Sequence, residues 1–529
     1  MGDTRHNLHR FFGGLVLDGH KSESTTLPIT RLPMPDRLIL PLREHIGEED
    51  KLVVGPGDAV LKGQVLAQAT DYVSAPLHAP TSGSVIDIGD YPVPHPSGLN
   101  APCVVIQPDG DDRWIELPSQ ETSVEALTPE EIRRRVRRAG VVGLGGAAFP
   151  TAVKLNPGPN KPIHTLVLNG AECEPYITCD QMLMRERATE VVAGMRILMR
   201  ALGAQQALIG VEDNNPSSAQ ALEQALADAG ERDARVVSVP TRYPTGGERQ
   251  LIKVLTGKEV PANGLPANIG IVCQNVATAA AVYHAVVKHF PLVSRVITVA
   301  GAGVGQPRNL EVLLGTPVAD LIEFCGGYKA DASRLLMGGP MMGFSLGTDQ
   351  VPVIKATNCL LVQNRSEIAS ENGELPCIRC GECAKVCPAQ LLPQQLYWYA
   401  RARDLEKVQD YNLFDCIECG CCAHVCPAHI PLVQYYRYAK TEIWAMEKER
   451  RKSDLARRRH EARQLRIEQE KAEREERMRR KKEALGRVGA AEPEDPKKAA
   501  IAAAVERAKA KAAARKAGIN INSEQDGGA

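Results

Sequence analysis

Eight cysteines in two runs carry the plainest chemistry of this chain: Cys377, Cys380, Cys383 and Cys387, the last followed by Pro388, and Cys416, Cys419, Cys422 and Cys426, followed by Pro427. Both runs have the C-x2-C-x2-C-x3-C-P spacing by which thiolates hold [4Fe–4S] clusters. Three closely spaced thiolates fold a loop around one face of an iron–sulfur cube, and the fourth, carried away on the following turn, ligates the other cube. The spacing therefore assigns one [4Fe–4S] cluster to Cys377, Cys380, Cys383 and Cys426, and a second to Cys387, Cys416, Cys419 and Cys422. A chain so equipped moves electrons one at a time. The alternative is structural zinc, although zinc sites normally use two C-x2-C pairs rather than complete runs ending in Cys-Pro. Cys421, between two proposed ligands, reads as a small filler residue or, if the assignment is displaced by one, as a substitute ligand.

A second chemical signal is Gly143-Leu144-Gly145-Gly146-Ala147-Ala148-Phe149-Pro150-Thr151, followed by Asn169-Gly170-Ala171-Glu172-Cys173-Glu174-Pro175. Read alone, Gly143-x-Gly145-x-x-Ala148 imitates a dinucleotide fingerprint. A fingerprint follows a strand and opens a helix, whereas this stretch follows a helix pattern and runs into Pro150. Glycines still let backbone N–H groups approach a phosphate or a flat ring, so the stretch reads as a nucleotide-binding loop, with a plain tight turn as the alternative. Glu172, Glu174 and Glu248 are candidate ligand-facing carboxylates, or else surface and helix-capping ones.

The elements that must position these groups fall into several domains, since 529 residues exceed a single core. Lysine plus arginine and aspartate plus glutamate balance at 64 each, which points to no nucleic-acid partner. Eight of fifteen cysteines sit in cluster spacing and the polar start Met1–Arg10 resembles no signal peptide, so a reducing, cytosolic compartment is expected. No stretch approaches the ~18–20 apolar residues needed to span a bilayer, so membrane association is expected to be peripheral.

Residues 1–120 are expected to hold an N-terminal segment and a small β-sandwich, from short strand patterns between glycine turns at Val53–Leu66 and Ala79–Val85. Residues 121–293 read as an α/β domain. Thr128-Pro129-Glu130-Glu131 predicts an N-cap, a first-turn proline and a capping box for a helix through Arg138. Apolar runs at Thr165–Leu168, Ala207–Val211, Arg235–Val239 and Arg295–Val299 alternate with helices such as Met182–Leu202. Residues 294–350 contain a strand and turn around Gly301–Arg308 and a short helix stopped by Gly326-Gly327. Residues 365–440 carry the cysteine runs, with helix patterns at Leu391–Tyr399 and Asp404–Tyr411. Residues 441–529 form a charged tail: one solvated helix through Ala484, breaks at Pro493 and Pro496, a second exposed helix over Lys497–Ala517 and a disordered end. The tail is a solvated extension or a basic helix suited to anionic lipid.

The glycine loop and Asn169-x-x-Glu172-x-Glu174-Pro175, with Tyr243-Pro244-Thr245-Gly246-Gly247-Glu248 and Gln274-Asn275-Val276-Ala277-Thr278, resemble in order and spacing the FMN- and NADH-binding subunit of respiratory complex I. The front sandwich resembles lipoyl-carrier domains, but its turn Thr70–Val73 has no lysine, so a structural role is expected. Residues 294–350 resemble an SLBB-like β-grasp module, and residues 365–440 an α-helical dicluster ferredoxin domain. Over roughly residues 10 to 440 the arrangement is similar to the RnfC family, peripheral components of Rnf/Rsx ion-translocating oxidoreductases. The fold class implied is a multidomain α/β and α+β chain.

The resemblance implies that Gly143, Gly145, Gly146, Phe149 and Lys154 shape the site of a non-covalently bound FMN. It implies that Asn169, Glu172 and Glu174 face flavin or nicotinamide, and that Gly247, Glu248 and Asn275 close the pocket. No side chain is expected to act as nucleophile or general base. Leu144, Ala148 and Ala171 depart from the complex I pattern, standing for an arginine, a glycine and an acid. The activity implied is that of an NADH:ferredoxin-type oxidoreductase subunit of a translocase complex, with NADH as substrate. Implied partners are the other Rnf proteins, RnfA, RnfB, RnfD, RnfE and RnfG, of which RnfB is ferredoxin-like, and ferredoxin or a similar low-potential acceptor. The implied location is the cytoplasmic face of the bacterial inner membrane. Rival readings are the flavoprotein subunit of a soluble NAD-linked hydrogenase or dehydrogenase, and a scaffold that relays electrons through clusters alone.

Overall fold

The computed structural model describes residues 8–45, 47, 49–118, 123–158, 160–368, 373–488 and 496–516. The chain divides into two units, residues 1–442 and 443–529. Every candidate site residue lies in the first.

Alternating apolar positions build the front sandwich from two antiparallel sheets. One has the order Ala59–Val60, Gly83–Pro92, Asn100–Pro108, Leu38–Pro41, and the other Lys51–Leu52, Val65–Gln68, Leu77–His78. Leu40, Val60, Leu66, Leu77, Val85 and Ile106 are buried in their shared core. The Val65–Gln68/Leu77–His78 hairpin ends in the turn Thr70–Val73, and this tip is docked onto the next domain. Arg137 donates to the Asp71 carbonyl at 2.6 Å and the Tyr72 carbonyl at 3.0 Å, and Asn156 donates to the Tyr72 hydroxyl at 2.9 Å. The lysine-free tip is thus an anchor between domains.

Four parallel strands form the centre of the α/β domain, in the order Ala234–Val239, Gln206–Glu212, Thr165–Gly170, Ile271–Asn275. Unbroken burial along Leu166–Leu168 and Ala207–Val211 is what a parallel sheet covered on both faces requires. Helix Pro129–Arg138 is capped by Thr128, whose hydroxyl accepts from the Glu131 N–H at 3.2 Å. The reciprocal half of the capping box does not form, because the Glu131 carboxylate pairs with Arg134 and Arg135. The expected helix Met182–Leu202 is two helices, Cys179–Glu186 and Ala188–Leu202, separated at Arg187, whose guanidinium is held by Glu311 at 2.6 Å. Ala188–Leu202 packs on helix Val276–Val286 at Gly194, where a Cβ would sit 1.8 Å from the Ala279 carbonyl oxygen. Only glycine permits that approach.

The run at Arg295–Val299 forms a strand, Ser294–Ala300, but in a neighbouring sheet, and the fourth parallel strand is Ile271–Asn275, which no long apolar run marks. The neighbouring sheet is mixed, with the order Thr30–Arg31, Arg308–Leu313, Ser294–Ala300, Cys359–Asn364, Ala332–Met337, Phe344–Ser345. It draws strands from both sides of residues 294–350. Thr30–Arg31 comes from a strap, residues 8–31, that leaves the sandwich and crosses the other domains. His9 N–H donates to the Val254 carbonyl (3.0 Å), Gly14 N–H to the Val386 carbonyl (2.9 Å), and Tyr176 N–H to the Gly19 carbonyl (2.8 Å).

The two cysteine runs share one backbone conformation. Arg379 and Glu418 are left-handed (φ 59° and 58°), as are Gly381 and Gly420 (80° in both) and Gln390 and His429 (54° and 52°). These turns wind each loop back on itself before a short helix, Glu382–Lys385 or Cys421–His424. Helices Pro393–Ala402 and Leu405–Asp410 separate the runs. The tail helix starts earlier than its charge pattern suggests and spans Leu432–Val488, with Leu455 and Leu465 exposed. Pro496 opens a second helix, Pro496–Lys516, instead of ending the first; Pro493, Ala517 and the chain's last residues lie outside the described residues. Among the described residues, no helix is long and apolar enough to cross a membrane.

Candidate functional site

The carboxyl ends of the parallel strands gather most of the predicted flavin-site residues, the edge at which open α/β sheets bind ligands. Asn169 and Asn275 end adjacent strands and are register partners. Asn275 caps helix Val276–Val286, its Oδ1 accepting from the N–H groups of Ala277 (2.8 Å) and Thr278 (3.3 Å). Its Nδ2 donates to Asp180 Oδ2 at 2.5 Å. Asn169 Oδ1 accepts from Ala171 N–H, and its Nδ2 donates to the Gly246 carbonyl at 2.8 Å, tying the acidic loop to the Tyr243–Glu248 segment.

The glycine loop is pinned at its neck and open at its tip. Gly143 N–H donates to the Phe149 carbonyl (2.8 Å), Ala148 N–H to the Gly143 carbonyl (3.1 Å), and Leu144 N–H to Thr278 Oγ1 (2.9 Å). Leu144 is buried and its carbonyl accepts from Arg295, so it anchors the loop. Gly145, Gly146 and Ala147 are exposed, and among the described residues their amides have no partner. Gly145 faces Asn275, a Cβ there lying 3.4 Å from Asn275 Cβ, while Gly146, at φ +105°, has no atom within 4 Å of that position. Three adjacent free amides on an exposed turn fit a phosphate. Phe149 is half-buried, and Lys154, on the short helix Thr151–Lys154 after the loop, reaches Glu248 Oε1 at 2.7 Å and the Cys273 carbonyl at 3.1 Å. Burial works to lower the Lys154 pKa, but Glu248 and Cys273 outweigh it and hold it above the usual lysine value. Gly247 caps helix Glu248–Thr256 through its backbone alone, and a Cβ on it would meet Gln250 Oε1 at 2.5 Å.

Glu172 and Glu174 commit their carboxylates to backbone amides. Glu172 caps helix Cys179–Glu186, accepting from Asp180 N–H (3.0 Å) and Gln181 N–H (3.2 Å), and Cys179 donates to it at 3.3 Å. Glu174 Oε1 accepts from the N–H groups of Met341 (2.7 Å) and Met342 (3.0 Å) across the domain boundary. Burial pushes the Glu174 carboxyl up, against those two amides. Two further buried acids, which carried no motif in the sequence, stand beside them. Burial, reinforced by Glu172, pushes Asp180 up to about 7, and burial pushes Glu212, at the end of strand Gln206–Glu212, up to about 7.

The eight cysteines line two separate cavities. Cys377, Cys380, Cys383 and Cys426 surround one, beside Gln394, Tyr397 and Trp398, and Cys380 is exposed. Cys387, Cys416, Cys419 and Cys422 surround the other, with the buried Cys421 and Tyr436. Each cavity therefore takes three thiols from one run and the fourth from the other, a four-thiol donor set of the kind a cubane cluster needs. Backbone N–H groups already point at two sulfurs, Leu391 at Cys387 Sγ and Glu418 at Cys416 Sγ, both at 3.4 Å. The second cavity is joined to the α/β domain. The Tyr243 hydroxyl donates to the Cys419 carbonyl at 2.6 Å, Arg249 lies 3.5 Å from Asp415, and Tyr243, Cys419 and Cys421 share an apolar cluster with Leu15, Cys173 and Met341.

Comparison with known proteins gives the same domain series. Residues 9–111 match the RnfC barrel sandwich hybrid domain, 136–284 the Nuo51 FMN-binding domain, 296–345 the SLBB domain and 376–430 the 4Fe-4S dicluster domain. Three relatives each bear the name of the RnfC component of an ion-translocating oxidoreductase complex. The Pseudomonas aeruginosa protein is 52% identical over 88% of this chain and 60% of its own length. The Vibrio cholerae protein is 47% identical over 96% and 65%, and the Citrobacter koseri protein 45% identical over 97% and 71%. The chain thus spans less than two thirds of the length of the first two. A chain of an NAD+-reducing [NiFe]-hydrogenase in the H2-reduced state aligns over 61% of this chain and 62% of its own, at 20% identity and a TM-score of 0.43.

Proposed function

The chain belongs to the RnfC family of ion-translocating oxidoreductase complexes, and on that premise we propose that it is the peripheral electron-input component of an Rnf-type complex, passing electrons between NADH, FMN and two [4Fe–4S] clusters. Bound FMN supplies the exchange between a two-electron hydride donor and the one-electron clusters. The amides of Gly145, Gly146 and Ala147 bind the FMN phosphate, and the Lys154–Glu248 pair and Gly247 border the site from the next helix. Asn169 and Asn275 hold the surrounding loops to the sheet edge. Glu172 and Glu174 act by fixing the acidic loop.

One observation carries the reading. The Tyr243 hydroxyl belongs to the segment that supplies Gly247 and Glu248, and it donates to the carbonyl of Cys419, so the flavin edge and one thiol cavity share a hydrogen bond. The cluster of Cys387, Cys416, Cys419 and Cys422 is then the nearer acceptor. The cluster of Cys377, Cys380, Cys383 and Cys426, whose Cys380 is exposed, is the exit. Electrons leave toward the other Rnf proteins at the cytoplasmic face of the inner membrane, in a complex that couples them to ion movement and to ferredoxin or a similar low-potential carrier.

An anaerobic NADH titration of the full-length, cluster-reconstituted protein with FMN added, followed by visible and EPR spectra, tests this. Bleaching of the flavin followed by a reduced-cluster signal is the expected result. Oxidised clusters indifferent to NADH, with no flavin retained, would leave a cluster-only relay and overturn the proposal.

A further inference from the structure

Lys21 lies in the strap, in the short turn Lys21–Glu23, more than a hundred residues before the region similar to the FMN-binding domain. Its ammonium donates to three carbonyl oxygens of the acidic loop: Glu172 at 2.5 Å, Glu174 at 2.9 Å and Ile177 at 2.5 Å. An ammonium has three donors, and all three are used. The strap holds Lys21 there through its neighbours. Gly19 accepts from Tyr176 N–H, the His20 ring stacks on Tyr176 with centroids 4.4 Å apart, and the Ser24 and Thr178 hydroxyls are bonded at 2.7 Å.

Two consequences follow from the chemistry of that contact. The carbonyls of residues 172, 174 and 177 can converge on one point only if the loop curls around it, so the ammonium sets the loop's shape. Its partners are neutral dipoles, and among the described residues it makes no ion pair, so its positive charge stays uncancelled by direct contact. Beside it lie Glu174, Asp180 and Glu212, whose proton affinities it lowers against burial. A cation surrounded by carboxyl groups keeps that wall of the site from accumulating negative charge, which disfavours an electron-rich flavin.

We propose that Lys21 is a positioning residue of the flavin and nicotinamide site: it curls the acidic loop about its ammonium and supplies the positive charge that makes the bound flavin easier to reduce. This inference rests on the flavin reading above and adds a strap residue to a site otherwise built from residues 143–275. Lys21 forms no bond with the cofactor in this role and passes no proton.

The test uses full-length, cluster-reconstituted protein with Lys21→Ala, Lys21→Met and Lys21→Arg. FMN affinity is measured by quenching of flavin fluorescence, and the flavin midpoint potential by spectroelectrochemistry. Lys21→Ala is expected to weaken FMN binding about tenfold, as loss of charge-assisted hydrogen bonds does. Added propylammonium, which replaces the missing side-chain atoms, restores binding, whereas propanol does not. Lys21→Met makes the flavin potential more negative and Lys21→Arg returns it toward wild type, with cluster EPR signals unchanged in every variant. Wild-type affinity and potential in Lys21→Met would overturn the role of Lys21 while leaving the flavin site intact. So would a loss that neither arginine nor propylammonium repairs, since that is the mark of general unfolding. A wild-type chain that binds no FMN would instead remove the flavin reading, and this inference with it.

Discussion

Glu212 offers a sharp test of the electrostatics of the sheet edge. It ends strand Gln206–Glu212, is 4% exposed, and its Oε1 has no hydrogen-bond partner among the described residues. Burial raises its pKa from 4.5 to about 7, so the folded chain binds this proton more tightly than the unfolded chain does. The sign follows: the stabilisation is fully present below pH 4.5 and is lost as pH rises through 7. A factor of ten in proton affinity is worth about 1.36 kcal/mol, so the whole effect is about 3.4 kcal/mol, of which about 2.5 kcal/mol develops between pH 5 and pH 8.5. Glu212→Gln cannot ionise and lacks this slope. The variant should therefore gain about 2.5 kcal/mol on wild type across that interval, or roughly 5–10 °C in the melting temperature of a domain of this size. Anaerobic differential scanning calorimetry of both proteins at the two pH values reads this directly. If the difference between their melting temperatures is the same at pH 5 and 8.5, Glu212 ionises normally in the folded chain and the argument fails.

Three other outcomes are expected. Cys387→Ala should lose the cluster of Cys416, Cys419 and Cys422, roughly half the iron, and keep the other; EPR loss mapping to Cys377, Cys380 and Cys383 would refute the crossed assignment. Gly339→Ala places a Cβ 2.1 Å from Glu174 Cγ and so pushes Glu174 off the Met341 and Met342 amides. It should destabilise by about 1–3 kcal/mol, seen in thermal unfolding. Asn275→Ala removes the N-cap of helix Val276–Val286 and the bond to Asp180, and should cost about 1 kcal/mol from the cap alone, whereas unchanged melting would show the cap to be dispensable.

What the sequence makes legible is what short spacing encodes. The cysteine runs, the Thr128 cap and the glycine loop each depend on residues within about a dozen positions, and the structure places them in recognisable local geometry. The break at Arg187 has no such mark: the apolar period continues through it without glycine or proline, and the contact that accompanies it, Glu311, is 124 residues away. Strand Ile271–Asn275 is too short an apolar run to stand out, and its role comes from pairing with Thr165–Gly170. Ser294–Ala300 reads correctly as a strand, but periodicity carries no information about which sheet it joins. Lys21, Asp180 and Tyr243 are ordinary residues until the fold brings them to Glu172, Asn275 and Cys419. The two glutamates of the acidic motif stand out as a pair, yet their amide partners at residues 180–181 and 341–342 belong to different domains.

The strap has a consequence for the birth of the protein. Residues 8–31 leave the ribosome first, but their partners are among the last to be made: Gly14 pairs with Val386, Leu15 with Tyr243 and Thr30 with Leu310. At about 5–20 residues per second, the amide of Gly14 waits roughly 20 to 75 s for its carbonyl. Lys21 meets the carbonyls of Glu172, Glu174 and Ile177 well before that, and the cluster loops arrive last. Nascent chains should therefore curl the acidic loop early and close the contact between flavin edge and cysteine loops only near release, so that both kinds of cofactor are loaded into a nearly complete chain.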